Sequence, residues 1–214
     1  VVNSLYGLIS LGWNDMVYLD VTARNDWSST LSRGNWSFFY PSVSASVMLD
    51  KILNLQEKAP WFTFFKLRGS WANVGRDTDP YALDQYYTST VFPGGFRPGA
   101  TIPDPNICPE NVATWEVGLE AKFLDNRIGA DVALYRSDVT NQIYDVTNDY
   151  MSGAKYYTEN IGLIRNKGIE LAVDADIIDR GDWYWNFGFN IGLNKNKVVY
   201  LPNGEFRQGN QIVR

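Results

Sequence analysis

The stretch Thr114 to Leu134, TWEVGLEAKFLDNRIGADVAL, alternates apolar and polar residues, breaks at Asp125-Asn126, and alternates again. Trp115, Val117, Leu119, Ala121 and Phe123 share one face; Thr114, Glu116, Gly118, Glu120 and Lys122 share the other. A two-residue period is the signature of a strand whose two faces meet different surroundings. The pattern recurs along the chain and helical periodicity is nearly absent, so the fold is restricted to antiparallel β architectures.

The same period places strands over 5–13, 16–24, 37–48, 64–74, the two arms of the 114–134 hairpin, 168–177 and 184–194. Val17, Leu19, Val21 and Ala23 oppose Tyr18, Asp20, Thr22 and Arg24. Phe65, Leu67 and Trp71 oppose Lys66, Arg68 and Ser70. Ile169, Leu171, Val173, Ala175 and Ile177 oppose Glu170, Ala172, Asp174 and Asp176. Trp185, Phe187, Phe189, Ile191 and Leu193 oppose Tyr184, Asn186, Gly188, Asn190 and Gly192. Pro41 lacks a ladder donor and is expected at a strand end or bulge. The link DKILNLQEKAPW has room for one helical turn.

The links differ in length by parity. The first, third, fifth and seventh are compact; the second, fourth and sixth are long, and the tail after Asn194 opens another long one. The fourth, from Gly75 to about Asn111, holds six of the nine prolines, and the sixth runs from about Ser137 to Asn166. An up-and-down sheet with compact turns at one end and long loops at the other is the asymmetry of outer-membrane barrels. Strands of about 10 residues match a tilted bilayer crossing. Trp13, Phe38, Phe39, Trp71, Trp115, Phe123, Trp183 and Trp185 fall near strand ends, where amphipathic rings meet headgroup water. A soluble sandwich shares the alternation but not the loop asymmetry.

Composition narrows the function. Nineteen basic and 24 acidic residues give a net charge of −5, which argues against a nucleic-acid partner. The chain has no histidine, so a Ser-His-Asp triad cannot form within it. Glu116 and Glu120 stand about 13 Å apart along one strand, too far for a glycosidase pair. A non-catalytic role without a cofactor is expected. The lone Cys108 reads as an unpaired loop thiol. The chain opens and closes within strand-like sequence, which reads as a section of a longer protein.

Four phrases carry a resemblance: ARNDWSSTL with FYPSVSASVML; FFKLRGSWANVGRDTDPYAL; ENVATWEVGLEAKFLDNRIGADVALYRSD; and IRNKGIELAVDADII with WNFGFNIGLNKNKVVYL. In this order they resemble the barrel of SusC/RagA-type TonB-linked outer-membrane receptors. The resemblance implies a plugged barrel of about 22 strands, of which residues 1–214 supply about eight, without the plug or the N-terminal extension. It implies import of glycans or peptides across the outer membrane of a Gram-negative bacterium, a SusD-like surface lipoprotein as lid, and a TonB complex acting through the missing N-terminal region. Outer-membrane lipid would cover the apolar face.

Candidate ligand or lid contacts lie in the outward loops. Arg76, Asp77, Asp79, Tyr81, Tyr86, Tyr87, Phe92, Phe96 and Arg97 combine aromatic faces with charged hydrogen-bonding groups. Trp27 opens a second outward loop and joins them, whereas Tyr156 and Tyr157 are not selected. Asp77 and Asp79 are a poor calcium pair and read as turn caps, so no metal site is expected. A small adhesion or structural barrel and a soluble carbohydrate-binding module are the competing readings.

Overall fold

The computed structural model describes residues 1–147, 151, 153–201, 206–208 and 211–213. The long strands are β1 (Val2–Trp13), β2 (Val17–Ser28), β3 (Ser37–Met48), β4 (Phe62–Arg76), β8 (Glu110–Phe123), β9 (Ile128–Thr147), β10 (Tyr156–Arg180) and β11 (Trp183–Tyr200). Between β4 and β8 lie three short strands, β5 (Tyr87–Ser89), β6 (Phe96–Pro98) and β7 (Thr101–Pro103). Two helical turns, α1 (Leu49–Ile52) and α2 (Leu55–Lys58), join β3 to β4, and β12 (Phe206–Gln208) pairs with β13 (Gln211–Val213).

The long strands form one sheet in chain order, each antiparallel to the next. The compact connections, around Asn14-Asp15, α1-α2, Leu124–Arg127 and Gly181-Asp182, all lie at one end. The register keeps the alternation in phase across strands: Leu67 faces Leu119, Leu119 faces Val132, Val132 faces Leu171 and Leu171 faces Ile191. One face is thus continuous aliphatic and aromatic surface, and the other carries Ser, Asp, Glu, Lys and Arg.

The apolar face is uncovered. Leu5 is 68% exposed, Trp115 60% and Leu193 62%, and among the described residues no second sheet packs on this face. A sandwich would bury it; a bilayer leaves it facing hydrocarbon. At the compact end Trp61, Phe62, Phe65 and Phe123 cluster, with Trp61–Phe62 centroids 4.5 Å apart and Phe62–Phe123 4.7 Å apart. Toward the other end Trp71 meets Trp115 at 5.8 Å. These are aromatic belts at the two ends of the apolar band. Phe38 does not belong to a belt: it lies on the polar face, stacked on Tyr40 at 5.9 Å and filling the space over Gly75.

Three expectations are corrected. The expected loop 137–166 is largely strand: β9 continues to Thr147 and β10 begins at Tyr156, while residues 148–150 and 152 of that loop lie outside the described residues. Its Thr, Ile, Val and Tyr favour extended backbone, but with polar groups on both faces the two-residue signal is lost. Pro41 sits within β3, at the point where pairing with β4 has stopped, because the β3–β4 ladder begins at Ser42. Trp27 lies within β2 rather than in a loop.

The ladder of the tall β9–β10 hairpin keeps one register throughout and skips a single pair, Asn141 opposite Gly162. Asn141 and Gly162 are both left-handed, and a Cβ on Gly162 would lie 2.4 Å from the Tyr200 carbonyl oxygen.

The two faces make opposite demands on a buried charge. In the full-length protein, Val132→Lys is expected to destabilise the membrane-inserted barrel by about 2–4 kcal/mol, measured by denaturant refolding into vesicles. Ser44→Lys, on the polar face beside Asp20, is expected to change it by less than about 1 kcal/mol. Equal costs at the two positions would mean that the faces are wrongly assigned.

Candidate functional site

The polar face carries a charge ladder over β4, β8 and β9. Its centre is Arg68, whose cross-strand partner is Gly118. Glycine there leaves the guanidinium free to lie across β8 and reach the next strand, where Nη1 donates to Asp131 Oδ2 at 2.6 Å and Nη2 to Oδ1 at 2.9 Å. A Cβ at position 118 would stand 2.5 Å from Arg68 Nε. Glu116 approaches the same guanidinium at 3.7 Å, and Glu120 lies between Lys66 at 4.0 Å and Lys122 at 3.7 Å. The forked geometry fixes orientation, while partial exposure keeps each looser pair weak. Nearer β1, Asp26 accepts from Arg24 Nε at 2.8 Å and from the Tyr40 hydroxyl.

At the end opposite the compact turns, the loop 77–109 folds over the sheet and is tied to its neighbours. Asp77 Oδ2 accepts from Ser28 Oγ at 2.6 Å and Thr30 Oγ1 at 3.0 Å. β7 crosses past β8 and β9 to pair in parallel with Tyr156–Thr158 of β10. Asn160 then clamps Cys108, accepting its backbone N–H and donating to its carbonyl, both at 2.9 Å, and donates to Asn141 O at 2.7 Å. Asn35 donates to the carbonyls of Asn106 and Ile107, each at 3.1 Å, over a fully buried Ile107 side chain.

Between this loop and the tall hairpin lies a cavity of about 800 Å³. Arg76 at the end of β4, Asp77, Asp79, Tyr81 and Tyr86 line one side. Glu110, Tyr144, Asp145, Tyr156 and Thr158 line the other. Glu110 Oε1 accepts from Ile143 N at 2.9 Å, and Asp145 accepts from Thr158 Oγ1. Tyrosine rings with carboxylates held by neighbouring donors form a wall able to stack flat groups and to bond hydroxyl or amide donors.

Five of the ten candidate residues therefore meet: Arg76, Asp77, Asp79, Tyr81 and Tyr86. Tyr87, Phe96 and Arg97 belong to the β5–β6 hairpin, with Phe92 at its turn; all four are exposed and outside the cavity lining. Trp27 lies on the apolar side of β2, paired with Ser37 and Asn3. The residues that sequence reasoning missed come mostly from the misassigned 137–166 segment; its run of β-branched and tyrosine residues was the available signal.

The family model described as TonB dependent receptor-like, beta-barrel, matches residues 2–214. The chain belongs to the TonB-dependent receptor family. A TonB-dependent receptor of Formosa agariphila is 26% identical over 211 residues, covering 96% of this chain and 21% of the relative. The TonB-dependent receptor SusC of Bacteroides thetaiotaomicron is 26% identical over 223 residues, covering 94% of this chain and 21% of the relative. Among solved structures, the RagAB peptide importer in its closed-closed state matches with a TM-score of 0.88 and 22% identity, over 98% of this chain and 24% of that one. The siderophore receptor PirA of Pseudomonas aeruginosa matches at 0.67 with 16% identity, over 92% of this chain and 34% of that one. This chain is thus a TonB-dependent receptor barrel segment of the outer membrane, similar to SusC and to the RagAB importer, and it spans about a fifth of the length of the curated relatives it matches. In that setting the compact turns are periplasmic, the long loops extracellular, and the charge ladder lumenal.

Two outcomes check the geometry. Gly118→Val should displace the Arg68 guanidinium and cost about 1–3 kcal/mol of barrel stability, with much of the loss absent when Arg68→Ala is already present; additive costs in a double-mutant cycle would refute the close approach. Asn160→Ala should release the 104–109 strap, seen as at least ~10-fold faster hydrogen exchange at Cys108 with β8 and β9 unchanged.

Proposed function

We propose that residues 1–214 form part of the wall and mouth of an energised importer for glycans or peptides. Cargo would pass beneath a SusD-like lipoprotein lid, with TonB coupled through the receptor's N-terminal region. The observation that carries this reading is the cavity between loop 77–109 and the β9–β10 hairpin. It lies at the extracellular end, above a polar lumenal face and outside the apolar band. Family membership supports import rather than catalysis.

The two groups of candidate residues divide the work. Arg76, Asp77, Asp79, Tyr81 and Tyr86 contact cargo. The β5–β6 hairpin contacts the lid: Phe92 is 76% and Phe96 71% exposed, and Tyr87 and Arg97 stand beside them. Clustered apolar rings on an extracellular loop mark a surface that a partner covers. Trp27, on the apolar side, anchors the sheet near the bilayer edge instead.

In the full-length receptor expressed in its own host, Asp79→Asn with Tyr81→Ala should lower cargo uptake about tenfold while the receptor still co-purifies with its lipoprotein. Phe92→Ser with Phe96→Ser should weaken that co-purification and leave cargo binding to the isolated receptor intact. Normal uptake by the first variant would remove the cavity from the cargo path, and unaltered lipoprotein recovery with the second would remove the hairpin from the lid contact.

A further inference from the structure

The outward face of β9, β10 and β11 changes character toward the extracellular side. Val132 and Leu134, then Leu171 and Ile169, then Phe189, Ile191 and Leu193 continue the apolar band. The next outward position on each strand is a cation: Arg136, Lys167 and Lys195 are direct cross-strand partners. One position further out, Asp138, Arg165 and Lys197 align in the same way. Five cations and one carboxylate leave 5 − 1 = +4 over three strands. Asp138 is committed to Arg136 at 2.6 Å and Arg165 at 2.7 Å. Lys167, Lys195 and Lys197 form no ion pair among the described residues.

Like charges placed directly opposite in neighbouring strands repel, so a nearby anion stabilises such a row. The row is also local. Continuing it onto β8 and β4, the partner of Arg136 is Trp115 and the partner of Trp115 is Trp71. These two strands carry an ordinary aromatic belt where β9–β11 carry cations.

Beside the cations lies a shallow groove of about 420 Å³, lined by Leu134, Ile169 and Leu193 on one side of the row Tyr135, Gly168 and Asn194 and by Arg136, Lys167 and Lys195 on the other. The outward apolar run on β11 from Trp183 to Leu193 extends about 33 Å along the strand, which at a barrel strand's tilt of about 40° is about 25 Å of height, that of the apolar band. Lys195 therefore stands at the outer headgroup level. Apolar below and cationic above, the patch complements an amphiphile that bears phosphate at its head.

We infer that the groove on β9–β11 binds a phosphorylated glycolipid of the outer leaflet, with acyl chains on Leu134, Ile169 and Leu193 and phosphate on Arg136, Lys167 and Lys195. The site lies on the side of the sheet away from the cargo cavity and does not depend on what the receptor imports.

The test uses the full-length receptor, delipidated in detergent and titrated by native mass spectrometry. The probes are lipid A carrying two phosphates, dephosphorylated lipid A, and phosphatidylethanolamine. The expected result is about 30-fold tighter binding of the bisphosphorylated form than of the dephosphorylated one, from two lysines each contributing about one headgroup interaction. Lys167→Gln with Lys195→Gln should abolish that preference, and Lys167→Arg with Lys195→Arg should keep it, with heat-modifiable gel mobility reporting the folded barrel. Equal wild-type binding of the two lipid A forms would overturn the inference, as would a preference that survives in the glutamine variant. Phosphatidylethanolamine binding as tightly as bisphosphorylated lipid A would reduce the row to snorkelling cations and overturn it too. Should the glutamine variant fail to fold, the wild-type comparison alone decides. Lipid binding is read without uptake, so failure here leaves the import proposal standing.

Discussion

Everything in this chain follows from the backbone hydrogen bond. In hydrocarbon, an unpaired amide or carbonyl has no water to turn to, so a strand that crosses must be paired on both sides. Each interior long strand of the sheet meets that demand by pairing with the long strands before and after it in sequence. Among the described residues β1 and β11 meet it on one side only. An unpaired edge of this kind is costly in hydrocarbon, whereas the up-and-down order between β1 and β11 pairs every strand along the path.

Once pairing is fixed, the side chains inherit two solvents. Register keeps residues of one kind aligned across strands, so a single out-of-phase pairing would drive Arg68 and Glu120 into lipid and Leu119 into the lumen. The lumenal face adds a finer constraint: its charges are matched across strands and not only between neighbours. Arg68 reaches Asp131 because Gly118 clears the way. Glycine in that strand therefore does what a side chain cannot, which is to let two elements that never pair hold one another in place.

The sequence was most legible where the two faces differ most. The strands from β1 to β4, the β8–β9 arms and the lower part of β10–β11 alternate cleanly, and the faces assigned to them match the registers. Legibility failed above the membrane. Residues such as Thr140, Gln142, Tyr144, Thr158 and Asn160 form strand with polar groups throughout, and a period-2 reading has nothing to detect there. Half of the cavity wall was hidden for that reason. The other half, Arg76 to Tyr86, was found because aromatic and charged residues stood out in a proline-rich stretch. Trp27 was misplaced because its neighbours Asn25, Asp26 and Ser28 look like loop residues, yet Asn25 and Ser28 spend their side chains on inter-strand and loop contacts.

The parallel pairing of β7 with β10 divides the great extracellular loop into unequal parts. The run from Thr101 to Cys108 is stitched into the sheet through β10 and Asn160, three strands away from where the loop departs. Among the described residues the β5–β6 hairpin pairs only with itself. Drift in sequence and length is therefore channelled: residues 87–98 form an exchangeable cassette, whereas the stitched run is part of the chassis. Receptors built this way can acquire new surface specificities by swapping a dozen residues without renegotiating the wall that carries them.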